Sequence, residues 1–383
     1  MSVYLDYAAS APMLEEVFES YVEDLRLFQT EAANPSSLHL RGRKMRELLE
    51  DARAQVATSL ECDAAEVIFT SGATESNALA LSGAVEAIKR SGIYLSSKLE
   101  HPAGAKHALR ASERGMEVVW APVNSDGCVD VSSVQEIARE GKVRIASFMA
   151  VDNEIGTVQP ISDLVNVLRA SNPDTTIHCD AAQAVGKIPF SFKSLGLDAV
   201  SISAHKFGGP VGVGALIAKR LYPLRSDRPG GGQERDVRSG TQNVAGARAL
   251  AHALRISVSR MEEESKRLFS LRNLLLAKLD NRVKPTTQAQ TSPHILHLST
   301  GKCPPEVLLM AMDQAGIAVS AGSACSAGVA RPSTSLLAMG YPEELAMGSL
   351  RVSLGSGTTV EDIEAFNLAL GPALDVAERF SKR

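Results

Sequence analysis

The chain has 383 residues, 44% hydrophobic and 22% charged, with 29 glycines and 17 prolines, an ordinary globular composition that excludes disorder, collagen and coiled coil. Lysine and arginine number 40 against 44 aspartates and glutamates, for a net charge of −4. The basic residues are interspersed with acidic ones, even between Arg220 and Arg238, where Asp227, Glu234 and Asp236 also stand; this excludes direct nucleic-acid binding as a working expectation.

The opening residues, MSVYLDYAASAP, lack the basic and apolar regions of a signal peptide, and no window approaches the roughly 18 apolar residues of a membrane span. The expectation is a soluble cytoplasmic protein without membrane contact. Leu14, Val17, Phe18, Tyr21, Val22 and Leu25 fall at helical spacing, and Met45, Leu48, Leu49, Ala52 and Val56 repeat it, predicting two amphipathic helices. Short β-rich runs follow: EVIFT (66–70), IYLS (93–96), EVVW (117–120), RIASFMA (144–150), TIHC (176–179), DAVSIS (198–203) and VGALIA (213–218). Most are separated by helix-length segments, the alternation of an α/β fold with a largely parallel sheet. From Asn243 to about Asp280 the pattern is helical throughout, a connector between two domains, which a chain longer than about 250–300 residues is expected to form. The remainder offers strands at HILHLS (294–299) and RVSLG (351–355) and helices near 304–315 and 360–376, a smaller α+β domain.

In parallel α/β sheets ligands bind beyond the carboxyl ends of the strands, and polar segments follow the runs here: TSGATESN, DNEIGT, DAAQ and AHKFGGP. Lys206 stands just after a predicted strand, in SISAHKFGGP, where its amine suits Schiff-base attachment of pyridoxal phosphate (PLP) as well as a solvated surface charge. Asp180 follows TIHC at the same edge, placed either to pair with a protonated pyridine nitrogen or to cap a helix. Gln183, three residues on, suits either a hydrogen bond to the cofactor's phenolic oxygen or an ordinary exposed place on a helix's first turn. Gly72-Ala73-Thr74 joins a strand to a helix, the geometry in which N–H groups hold a phosphate, with Ser203, His205 and Thr241 as further donors if the fold assembles them. No G-x-G-x-x-G, Walker or GxSxG motif is present, which excludes a Rossmann dinucleotide site, a P-loop and a hydrolase elbow.

The five cysteines, Cys62, Cys128, Cys179, Cys303 and Cys325, are scattered without metal-ligand spacing, so no structural metal is expected. Cys179 reads as core filler. Cys325, in VSAGSACSAG, has only small neighbours and reads as an accessible nucleophile.

Taken together, these segments resemble the cysteine desulfurases, PLP enzymes of the class V aminotransferase group, and among them the NifS/IscS-like branch with a GSAC-type loop. The likeness runs nearly end to end, through YLDYAASAP (4–12), NPSSLH (34–39), FTSGATESN (69–77), EHP (100–102), DNEIGTVQP (152–160), HCDAAQAVGKIP (178–189), SISAHKFGGP (201–210), GGGQERDVRSGTQNVAG (230–246), GSACSAG (322–328) and RVSLG (351–355).

The resemblance implies the fold type I, aspartate aminotransferase-like architecture, with a large PLP-binding domain over 15–255. A small domain over 1–14 and 256–383 would carry a mobile cysteine loop at about 319–330. Lys206 would hold the cofactor, Asp180 and Gln183 its pyridine nitrogen and phenolic oxygen, and His101 would stack on the ring and handle protons. Ala73, Thr74, Ser203 and His205 would bind the phosphate and Thr241 that of the neighbouring subunit in a homodimer, while Asn153, Asn34 and Arg351 would position the substrate, Asn153 contacting the cofactor as well.

L-cysteine would become L-alanine, its sulfur held as a persulfide on Cys325 for an acceptor such as an iron–sulfur scaffold protein. No metal of its own is implied, Cys325 at most sharing a cluster transiently with that partner. Thiolated RNA, a cofactor, or modified DNA reached through a partner are other destinations, and the chain stops soon after its last helix, where some family members extend a docking tail. A selenocysteine lyase or another class V aminotransferase or lyase is the nearest alternative, and a non-catalytic sulfur carrier a more distant one. Departures from the family pattern are Tyr7 for the usual Asn, Ala33 before NPSS, and Ser356-Gly357 after RVSLG.

Overall fold

The computed structural model describes residues 2–88, 91–226, 228–322 and 331–381. Its centre is a seven-stranded sheet in the order Val67–Thr70, Gly214–Ala218, Ala199–Ser203, Thr176–Asp180, Val143–Met149, Ile93–Ser97, Glu117–Ala121. Gly214–Ala218 is antiparallel to both neighbours and the other pairings are parallel. Most of these strands are buried along their whole length, which is why they read as continuous apolar runs: helices cover both faces. Because six strands share one direction, the segments after Thr70, Ser97, Met149, Asp180 and Ser203 emerge along one edge, where the site forms.

A second core lies around an antiparallel sheet in which Ile295–Ser299 pairs with Ser349–Ser353 and Lys284–Pro285. Leu308 and Met312 of the helix Pro305–Gln314, and Ile363, Phe366 and Leu370 of the helix Val360–Ser381, fill it. The helix Val244–Ala277 runs from one core to the other, burying Val244, Leu250 and Leu254 in the first and Leu268, Leu271 and Leu275 in the second. The N-terminus also bridges them: Leu5 belongs to the second core and Ala8 to the first.

The main strands and helices lie within a few residues of their predicted positions. Not foreseen are the two-residue strands Val3–Tyr4, Ile317–Ala318 and Lys284–Pro285, too short to show a period of two. The departures at Tyr7 and Gly357 have a common packing reason. Tyr7 is buried, and a Cβ on Gly355 would lie 1.9 Å from its ring, one on Gly357 2.9 Å from its hydroxyl. The ring occupies the room that these two glycines leave.

Candidate active site

Lys206 sits in the 3-10 turn Ala204–Lys206 that directly follows the strand Ala199–Ser203. Its Nζ donates to the carbonyls of Ala8 (2.7 Å) and Ala9 (2.9 Å), so the N-terminal segment fixes where the amine stands. Burial, reinforced by the Arg351 charge, lowers this amine to about 8 against the opposing pull of Asp180 and Asp6.

Asp180 ends the central strand and is nearly buried. One carboxylate oxygen accepts from Asn77 Nδ2 (2.7 Å) and the other from Ala182 N–H (3.0 Å), which holds the group rigidly at the edge.

The helix Ala73–Ala87 begins at Gly72 without a side-chain cap, and Ser76 N–H is bonded back to Gly72 O. The N–H groups of Ala73, Thr74 and Glu75 are therefore left at an open, positive helix end. Gly72 has φ +152°, and a Cβ on neighbouring Gly214 would lie 2.5 Å from its Cα, so the turn is built for close approach of backbone. Glu75, beside it, is neutralised by Arg228 (2.7 Å) and Arg238 (3.2 Å) and accepts from Ser71 N–H.

Arg351 projects from the second core's sheet and donates to Asp6 Oδ1 and to Asn153 O, each at 2.8 Å. Its Nε is buried without a partner. Asp152 accepts the N–H groups of Glu154 and Ile155 (2.7 Å each), and Glu154 takes the hydroxyls of Ser333 and Thr334, so the turn bearing Asn153 is pinned from below. His101 is open to the pocket, with Nδ1 accepting from Ala103 N–H (3.1 Å); its hydrogen is then on Nε2. Desolvation lowers its pKa, with Lys206 adding to the effect and Asp180 opposing it, which favours the neutral ring.

Glu100, the residue before His101, is buried and accepts from Met149 N–H (2.9 Å) and Ser97 Oγ (3.1 Å). Burial pushes its carboxyl up to about 8; those two donors pull it back, and Asp180 and Asp152 push it further up. The unfolded chain loses this proton near pH 4.3 while the folded chain keeps it to about 8, so folding stability falls with pH across that interval. Glu100→Gln is expected to leave the thermal midpoint nearly unchanged at pH 4 and raise stability at pH 9 by on the order of 4–5 kcal/mol. Thermal unfolding at the two pH values checks this, and a gain of equal size at both would contradict it.

One cavity of about 730 Å³ brings together Ala73, Thr74, His101, Asn153, Asp180, Gln183, Ser203, His205, Lys206 and Arg351. Thr241 and Asn34 are not part of it. Thr241 is exposed beside a separate cavity of about 170 Å³, and Asn34 is exposed on the chain between two helices. Cys325 lies outside the described residues; Ser320 and Ala321, a few residues before it, line the main cavity.

Burial raises the thiols of the other four cysteines, Cys62 to about 12, Cys303 to about 11, and Cys128 and Cys179 also upward. Sequence reasoning assigned no role to Asn77, Asp6 or the Ala8 and Ala9 carbonyls. Asn77 stands among the polar residues Thr74, Glu75 and Ser76 of the helix's first turns, so nothing local singled it out; backbone carbonyls leave no signal at all.

The profile of the family described as aminotransferase class-V matches residues 3–366. "Cysteine desulfurase IscS" of Dictyoglomus turgidum is 37% identical, covering 100% of this chain and 95% of its own. "IscS-like cysteine desulfurase" of Mycobacterium tuberculosis is 38% identical, over 98% and 97%. Among solved structures, a "NifS-like protein" superposes with a TM-score of 0.90 at 33% identity, covering 99% of this chain and 100% of that one. The chain belongs to the class V aminotransferase family, and within it to the NifS/IscS-like cysteine desulfurases with their fold type I architecture.

These enzymes work with PLP, and the donor set here fits that molecule group by group: an open helix N-terminus with nearby hydroxyl and imidazole donors for a phosphate, a fixed carboxylate for a pyridine N–H, and an amine of lowered pKa for an aldehyde.

Proposed function

We propose that this protein is a PLP-dependent cysteine desulfurase that converts L-cysteine to L-alanine and passes the sulfur from a persulfide on Cys325 to an acceptor. The observation that carries the reading is the convergence of Lys206, Asp180, His101 and Arg351 on one cavity in a chain with whole-length likeness to cysteine desulfurases. Lys206 holds the cofactor, Asp180 and Gln183 hold its pyridine nitrogen and phenolic oxygen, and Ala73, Thr74, Ser203 and His205 hold its phosphate. When bound, PLP supplies an electron sink that makes the substrate's Cα acidic and its C–S bond labile.

Around that group the chain's own residues do the rest. Arg351 takes the substrate carboxylate, and Asn153 and Asn34 complete the positioning. His101 covers the ring face and moves protons. The Cys325 thiolate takes the substrate's sulfur: an S–S bond forms, the C–S bond breaks and its electron pair stays with carbon, which is then protonated. Substrate thiol plus Cys325 thiol thus give alanine plus persulfide, with no outside oxidant. The anionic nucleophile must form at neutral pH, where a free thiol is only a few per cent ionised.

The exposure of Thr241, and that of Asn34, Leu38 and Leu40, supports a homodimer in which Thr241 reaches the partner subunit's phosphate site. The two cores support a division into 15–255 and 1–14 with 256–383, the helix Val244–Ala277 passing through the boundary. No helix of the described residues is long and apolar enough to cross a membrane. Iron–sulfur cluster assembly is the proposed destination of the sulfur, on the strength of the IscS relatives. The test is turnover of L-cysteine with a thiol reductant. Equal alanine and sulfide over many turnovers is expected; cofactor-loaded protein that makes neither would overturn the reading.

A further inference from the structure

Gln183 lines the cavity, and its amide is fixed from behind by a line of buried groups. Gln183 Nε2 donates to Ala8 O at 2.8 Å, Gln183 Oε1 lies 3.0 Å from His294 Nε2, and His294 Nδ1 lies 2.5 Å from Ser292 Oγ. A carbonyl oxygen only accepts, so the amide atom facing Ala8 must be the nitrogen. Oε1 must then accept from His294, which puts the imidazole hydrogen on Nε2 and leaves Nδ1 to accept from the Ser292 hydroxyl.

All three side chains are buried, Ser292 and His294 almost completely. Burial also holds His294 well below its ordinary pKa, with the charges of Lys187, Arg351 and Lys206 acting the same way. The Ala8 carbonyl that ends the line accepts from Lys206 Nζ as well, at 2.7 Å. The direction of every hydrogen bond from Ser292 to the lysine is therefore determined.

Gln183 has two amide hydrogens, and Ala8 takes one. We propose that His294 is a positioning residue: by donating to Gln183 Oε1 it prevents the amide from turning over and keeps the second N–H for the cavity side, where the cofactor's phenolic oxygen is held. This rests on the reading of Gln183 as that oxygen's donor. Without His294, Oε1 loses its buried donor and either orientation of the amide leaves a group unsatisfied.

The test is reconstitution of the apoprotein with PLP, read by the dissociation constant and by the position of the visible absorbance band, neither of which depends on turnover. His294→Ala is expected to weaken PLP binding about tenfold, the factor matching one hydrogen bond of ordinary net strength, and to shift the band. His294→Gln, whose amide nitrogen restores the donor, should stay within about threefold of wild type. In a Gln183→Ala background His294→Ala should add nothing, because the amide it orients is gone. Should His294→Ala not fold, His294→Leu fills the space without a donor and carries the same comparison.

A full-sized His294 effect on top of Gln183→Ala, or no rescue by glutamine, would overturn the positioning role. A silent His294→Ala in a protein where Gln183→Ala is not silent would count against His294 alone. A silent Gln183→Ala would remove the reading beneath it, and the inference with it.

Discussion

The Lys206→Ala protein is expected to fold, to hold no covalently attached cofactor, and to lose at least about a thousandfold in alanine formation. The amine is placed by two N-terminal carbonyls, Ala8 and Ala9, and it is prepared for attack on an aldehyde. With its pKa lowered to about 8, about half of it is uncharged at pH 8, against under about 1% for a lysine at its ordinary value. The wild-type apoprotein should accordingly take up PLP at a rate that climbs through about pH 8 and levels off above it.

The sign for stability follows from the same shift. A lysine whose folded pKa is depressed is penalised while charged, so its contribution improves as pH rises from about 8 to 10.4, and alanine is neutral or stabilising below pH 8. Visible absorbance after dialysis measures the attachment. Covalent cofactor retained by the variant would contradict the assignment.

Replacing Cys325 by alanine produces the second large effect, a loss of at least about a hundredfold in alanine formed from cysteine, with PLP binding and its absorbance band unchanged. No other described thiol is placed to substitute. Cys62, Cys128, Cys179 and Cys303 all lie outside the main cavity, and burial raises each thiol above its ordinary value. Steady-state alanine measurement separates this from the alternatives: a variant that still makes alanine at the wild-type rate would mark the protein as a lyase that releases sulfur without a thiol relay.

Most strands of the main sheet were legible because burial on both faces makes them short apolar runs bounded by polar loop residues, as in TIHC before Asp180. The cavity's polar residues were legible for a related reason, since a parallel sheet delivers the residues after each strand to one edge. Lys206 and Asp180 could be placed at that edge from order alone. Arg351 and His101 came only with the family motifs RVSLG and EHP, because nothing local marks an arginine in the second core's sheet as facing the first. What stayed hidden is set by long-range contact. Asp6 meets Arg351 across 345 residues of chain, Gln183 meets Ala8 across 175 and His294 across 111, and no periodicity encodes such pairs. Tyr7 looked like a blemish in a motif until Gly355 and Gly357 were seen to make room for its ring.

The central claim is that substrate sulfur leaves cysteine onto Cys325. A single-turnover experiment tests it most directly: PLP-loaded protein, L-cysteine and no reductant, with alanine counted per subunit and the cysteine peptides examined for added sulfur. The account predicts one alanine per subunit and a matching sulfur on the peptide containing Cys325. Alanine released with that peptide unchanged, or sulfur found on any of the other four cysteines instead, would contradict it.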